Sequence, residues 1–162
     1  MIAIVMGVSG AGKSTVAKAM VAATGWSFAE GDDYHSAANR QKMQSGTPLT
    51  DADRAPWLDA LHEVLAGWAA RGENGVMTCS ALKEKYRETL AAGLPSGSYR
   101  FVLLEAPKDE LKKRLEARAG HFMNPDLLDS QIATLEVPKD ALRIENIGSP
   151  EELAQKILDQ LK

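Results

Sequence analysis

A single cysteine, Cys79, stands in 162 residues, which excludes an internal disulfide and any multi-cysteine zinc site. Such usage fits a reducing compartment, and the cytoplasm is the expected location. A basic excess is missing as well: 19 Lys and Arg face 22 Asp and Glu, a formal net charge of -3. That balance argues against a duplex-binding domain, so no nucleic-acid partner is expected. No apolar run approaches the ~18 residues of a membrane span. The apolar opening, residues 1–8, has no positive charge before it and meets Gly7, Gly10 and Gly12 too early for a signal-peptide core. Internal repeats are absent. With 44% hydrophobic and 25% charged residues, the composition is that of a folded chain and not a disordered one. One water-soluble domain, residues 1–162, is therefore expected, long enough to bury roughly 70% of its unfolded surface.

Short apolar runs bounded by turn residues predict strands at residues 2–6, 75–79 and 99–105, with weaker ones at 27–30 and 142–145. Helical patterns fall between them, at 13–24, 35–45, 53–71, 83–92, 108–118, 125–136 and 150–161. Strands that alternate with helices predict an α/β fold with a five-stranded, mainly parallel sheet and right-handed crossovers. Residues 119–125 interrupt two helices with Gly, His, Asn and Pro and read as a movable loop within a lid segment of about 114–136.

The stretch Gly7, Val8, Ser9, Gly10, Ala11, Gly12, Lys13, Ser14 carries two glycines five apart followed by Lys and Ser, after a strand and before a helix. Glycines there let backbone N–H groups turn inward around phosphate oxygens. The helix N-terminus adds positive potential, Lys13 reaches the terminal phosphates and Ser14 ligates Mg²⁺. Thr15 completes the nucleotide-binding set, and ATP with Mg²⁺ is the expected pair. An Asn-Lys-x-Asp base-reading motif is absent, and the third strand ends in Cys79 and Ser80 instead of acidic residues. A GTPase switch or ATP-driven machine is thereby disfavoured, and a small-molecule kinase remains.

Glu30, Gly31, Asp32 and Asp33 follow the second strand, at the end of the sheet where ligands bind. A carboxylate there can take a proton from an attacking hydroxyl or hold a metal-bound water, and Asp32 is the expected general base. Lys83 and Arg87 lie four apart in a helical pattern, which places them on one face as an anion site or as a solvated basic stripe. Arg114 and Arg118, also four apart, lead into the interrupted segment. They are expected at the nucleotide, with Arg118 closing onto the transferring phosphoryl group, unless they form surface salt bridges with Glu110 or Glu116. His62, the three tryptophans and Cys79 read as packing residues.

A larger set of residues then falls into one pattern. His35, Asn39, Lys42, Met43, Gly46, Pro48, Leu49, Asp51, Asp53, Arg54, Pro56, Trp57 and Leu58 resemble the block after the second strand in gluconokinases of the phosphate-loop kinase type. Cys79 to Lys83 with Tyr86 and Arg87, then Arg114, Arg118, Gly120, His121, Phe122, Gln131, Thr134, Leu135, Glu136 and Pro138, extend that resemblance over nearly the whole chain. The resemblance implies ATP-dependent phosphorylation of D-gluconate on its 6-hydroxyl, and a homodimer. A sugar acid needs a cation for its carboxylate and polar groups for its hydroxyls. Asp32, His35, Arg40, Arg54, Lys83, Arg87, His121 and Gln131 supply that inventory, although Arg54 can instead pin its helix to an acidic neighbour.

Three departures from the family pattern stand out: Glu30 where an Asp is usual, Ser36 for a common Pro, and Ile132 with Ala133 after Gln131. With Glu30 beside Ser14 in the metal set, a metal-bound water is held by a longer arm. The rival readings are a shikimate-type kinase, whose glycine triplet after the third strand is missing here, and a nucleotide-binding regulatory module without turnover.

Overall fold

Five strands, Ile2–Met6 (β1), Ser27–Glu30 (β2), Gly75–Thr78 (β3), Tyr99–Glu105 (β4) and Leu142–Glu145 (β5), form a sheet of order β2-β3-β1-β4-β5 in the computed structural model. The structure describes residues 1–117 and 127–162. Every described pairing is parallel, with Ile2 beside both Gly75 and Tyr99, so β1 sits at the centre. The helices are Lys13–Thr24 (α1), Ala37–Gln44 (α2), Asp51–Ala70 (α3), Glu84–Ala91 (α4), Lys108–Ala117 (α5), Leu127–Thr134 (α6) and Pro150–Leu161 (α7).

The strands bury both faces because their side chains alternate between two cores. Ala3 and Val5 join Val16, Met20, Leu153 and Ile157 beneath α1 and α7. Ile2, Ile4 and Met6 point the other way, to Trp57, Leu61, Leu65 and Trp68 of α3. Those four recur at helical spacing, so α3 lays one continuous apolar stripe on the sheet. Leu61 is fully buried, and Leu61→Ala would cost about 2–5 kcal/mol. His62 packs as expected, its Nδ1 lying 3.0 Å from the Leu90 carbonyl and joining α3 to α4.

Several boundaries differ from the sequence expectation for identifiable reasons. Helix α3 starts at Asp51 and not at 53, because Thr50 and Asp53 form a capping box: the Thr50 hydroxyl accepts the Asp53 amide at 3.0 Å and the Asp53 carboxylate accepts the Thr50 amide at 2.9 Å. The helix expected over 35–45 shortens to α2 because Gly31–Tyr34 is a tight 3₁₀ turn and Ser36, accepting the Asn39 amide, caps α2. Lys83 is the extended N-cap of α4, so Lys83 and Arg87 do not share a helical face as expected. At the C-terminal helix the expectation and the structure coincide, with Ser149 as cap and Pro150 at its first position. Among the described residues, no helix is long and apolar enough to cross a membrane.

Candidate active site

The carboxyl ends of β1, β2 and β3 open onto one cleft, and its first wall is the turn between β1 and α1. Gly7 and Gly12 hold φ of 141° and 95°. A Cβ at Gly7 would lie 2.8 Å from the Leu104 carbonyl oxygen, and one at Gly12 would lie 2.4 Å from Asn146 Nδ2. Only glycine therefore allows this turn. Lys13 Nζ donates to the carbonyls of Gly7 at 2.8 Å and Val8 at 3.1 Å. Asn146, just past β5, donates to the Ala11 carbonyl at 2.6 Å. Arg114 Nη1 donates to the Gly10 and Ala11 carbonyls at 3.2 and 3.4 Å while its Nε pairs with Glu110, so the surface ion pair is present and the same guanidinium also reaches the phosphate loop. The Ser9 amide donates to Gln131 Oε1 at 2.7 Å, an oxygen acceptor of the kind a phosphate presents. Val8 and Ala11 are buried, and Thr15 is exposed on the first turn of α1.

Ser14 and Glu30 meet as expected for a metal corner. Ser14 Oγ and Thr78 Oγ1 both donate to Glu30 Oε1 at 2.7 Å, and the Gly31 amide donates to Thr78 Oγ1 at 3.1 Å. A hydroxyl beside a carboxylate is a hard-oxygen set that suits Mg²⁺, an ion that takes few protein ligands when phosphate supplies the rest. Among the described residues there is no cluster of three or more His, Cys, Asp or Glu able to hold a metal alone. Thr78 was missed by sequence reasoning. Its signal is a hydroxyl closing an otherwise apolar strand.

The opposite wall is built from side chains. Asp32 lies in the 3₁₀ turn, whose shape is held by Arg40, donating to the Asp32 and His35 carbonyls at 3.1 and 3.4 Å, and by Trp57 Nε1, donating to the Gly31 carbonyl at 2.8 Å. His35 stacks on Trp57 with ring centroids 4.1 Å apart. Burial, with Arg40 and Arg54 nearby, lowers its pKa from 6.5 to about 4, so the imidazole is neutral at pH 7. Asn39 Nδ2 lies 3.4 Å from His35 Nδ1 and donates to the Asp53 carbonyl at 2.8 Å, tying α2 to α3. Lys42 pairs with Asp53 at 2.8 Å, and together with Thr50 brings that carboxyl down to about 2.

Arg54 donates to the Tyr86 hydroxyl at 3.0 Å and lies over its ring, which settles its pinning partner as a phenol rather than an acid. Tyr86 in turn donates to Asp51, which also binds Lys85, and Lys83 lies 3.4 Å from Asp51. Those donors hold the Asp51 carboxyl below its usual range. The network welds the start of α3 to the start of α4.

Of the expected site residues, Ser9, Lys13, Asp32, His35, Arg54 and Gln131 line one cleft, joined by Ser80, Ser130 and Thr134. Ser80 and Thr134 belong to the residues that carry the family resemblance but had no site role assigned from the sequence, and Ser130 was not singled out; for Ser130 and Thr134 the available signal was their spacing of four along α6. Arg40, Lys83 and Arg87 do not line the cleft. Arg87 is buried and spends its guanidinium on the carbonyls of Ala81 at 2.7 Å and Glu136 at 2.8 Å. The expected roles of Arg118 and His121 lie outside the described residues.

This arrangement has counterparts. The model of a family described as an AAA domain matches residues 2–138. Gluconokinase of Gluconobacter oxydans is 46% identical over 159 residues, covering 96% of this chain and 88% of its own. This chain belongs to the gluconokinase family. A gluconokinase of known structure from Sinorhizobium meliloti is 41% identical with a TM-score of 0.84, covering 98% of this chain and 90% of its own. An unliganded sugar kinase from Janibacter is 44% identical with a TM-score of 0.88, over 99% of this chain and 93% of that one. Against these gluconokinase relatives the phosphate loop, the parallel sheet and the kinase class all stand as expected from the sequence.

Proposed function

We propose that this chain transfers the γ-phosphoryl group of ATP to the 6-hydroxyl of D-gluconate, giving 6-phospho-D-gluconate and ADP. The observation that supports it most is a single cleft lined both by the phosphate loop, through Ser9 and Lys13, and by Asp32, His35, Arg54 and Gln131. Lys13 holds the terminal phosphates and offsets charge on the transferring group. Asp32 accepts the proton of the 6-hydroxyl as that oxygen bonds to phosphorus and the bond from phosphorus to the ADP oxygen breaks. Arg54 binds the gluconate carboxylate, and neutral His35 with Gln131 binds hydroxyls. Ser14 and Glu30 hold Mg²⁺, which when bound offsets phosphate charge. Arg114 braces the loop from outside. Arg118 and His121 belong to the lid segment in this reading, while Arg40, Lys83 and Arg87 support the cleft from behind.

A coupled assay of ADP release with D-gluconate, glucose and shikimate tests the reading. Gluconate alone is expected to drive turnover. Equal kcat/KM for glucose would remove the carboxylate role of Arg54, preference for shikimate would favour the rival kinase class, and no turnover with any acceptor would leave a binding module. A homodimer in the cytoplasm belongs to the same reading; light scattering on the purified protein checks the first, and fractionation of cells the second.

A further inference from the structure

Arg87 is charged and only 7% exposed, yet it does not line the cleft. One of its two carbonyl partners is unusual. Ala81 is fully buried and has a φ of 45°, the positive-φ position among described non-glycine residues. A side chain bearing Cβ is disfavoured there and persists only where the surroundings hold it. Arg87 Nη1, 2.7 Å from the Ala81 carbonyl oxygen, is such a hold.

The second partner, Glu136, follows α6. Its amide donates to the Leu82 carbonyl at 2.7 Å, its carboxylate accepts the Glu84 amide at 2.9 Å, and its carbonyl accepts Arg87 Nη2 at 2.8 Å. Helix α6 also carries Gln131, the acceptor of the Ser9 amide. On the other side, the Gly7 amide donates to the Ser80 carbonyl at 3.3 Å. The contacts thus close a circuit from the phosphate loop through Gln131 and α6 to Glu136, then through Arg87 and Ala81 to Ser80 and back to the loop.

We infer that Arg87 is a positioning residue: by gripping the Ala81 and Glu136 carbonyls it holds the exit of β3 in its left-handed turn and sets α6 where Gln131 reaches the phosphate loop. The inference rests on the kinase reading above, since it concerns how that cleft keeps its shape. Loss of the guanidinium removes two charge-assisted donors and leaves two carbonyls unpaired. The turn then relaxes toward negative φ, and Ser80 and Leu82 leave their places in the cleft wall.

Glycine at position 81 discriminates this role from direct substrate binding, because it adopts the turn without the guanidinium's help. Arg87→Met keeps the aliphatic stem; Arg87→Lys serves if that variant does not fold. Either should lower kcat for gluconate-dependent ADP formation about 10- to 100-fold with gluconate KM nearly constant. Adding Ala81→Gly should recover part of the lost kcat, the part owed to the turn after β3, and Ala81→Gly alone should stay within about twofold of wild type. A raised KM at unchanged kcat, or no recovery with glycine, overturns the inference. Hydrogen exchange of the free protein gives a second readout that needs no substrate. Arg87→Met should exchange faster over 80–84 and 135–137, and Ala81→Gly should restore the first segment only. If wild type shows no turnover with gluconate, the functional reading fails, and unchanged exchange would by itself overturn the positioning role.

Discussion

The two walls of the cleft keep their shape by different means. On the phosphate-loop side, glycine backbone and main-chain groups define the cradle, and Lys13 folds back only five and six residues to the Val8 and Gly7 carbonyls. On the acceptor side the contacts are made by side chains across long stretches of chain, Trp57 to Gly31 over 26 residues and Arg54 to Tyr86 over 32. A backbone cradle suits a group common to all nucleotides and tolerates little change in sequence. A wall of side chains can be altered one residue at a time, so selectivity for the acceptor belongs there.

Four substitutions sharpen or break that contrast. Asp32→Asn keeps the side-chain shape and removes the proposed proton acceptor, so kcat should fall ~10²- to 10⁴-fold while ATP binding, read by fluorescence titration, persists. Lys13→Ala should cost about 10²- to 10³-fold in kcat and weaken ATP more than gluconate. Equal weakening of both ligands would mean that the walls are not separable. Tyr86→Phe deletes the hydroxyl between Arg54 and Asp51; gluconate KM should rise about tenfold with ATP KM unchanged, the loss of roughly one hydrogen bond.

The smallest effect concerns His35. An unfolded imidazole takes up a proton near 6.5, the folded one only near 4, so the native state loses stability as pH falls through that interval. Melting temperatures of wild type and His35→Gln should therefore converge, or cross, as pH drops from about 7.5 to about 4.5. A constant difference would show that the stacked ring titrates normally.

Much of this was readable in the chain because it is local. The run Ile2 to Met6, its glycine turn and Lys13 are contiguous, so strand, loop and helix follow from adjacent residues. Ser14 and Glu30 were legible as a pair because each ends or begins an element at the same edge of the sheet. Arg87 was not. Spacing of four suggested a common face with Lys83, but Lys83 stands in extended backbone before the helix, and of the Arg87 partners Ala81 lies six residues away in the turn after β3 and Glu136 lies 49 residues away, a contact that helical spacing cannot predict. The start of α3 was misplaced by two residues because Thr50 caps with an Asp at the third helical position, where Glu or Gln is the usual signal.

Cys79, one residue before Ser80, is buried at the end of β3 and burial pushes its thiol up to about 12. A sulfur kept as the thiol is a poor nucleophile, so mild oxidants and alkylating agents should pass over the native protein. Denaturation exposes one thiol per chain. The rate at which a thiol-specific dye enters under native conditions consequently times the opening of the β3 exit, and nucleotide that steadies the cleft should slow that clock.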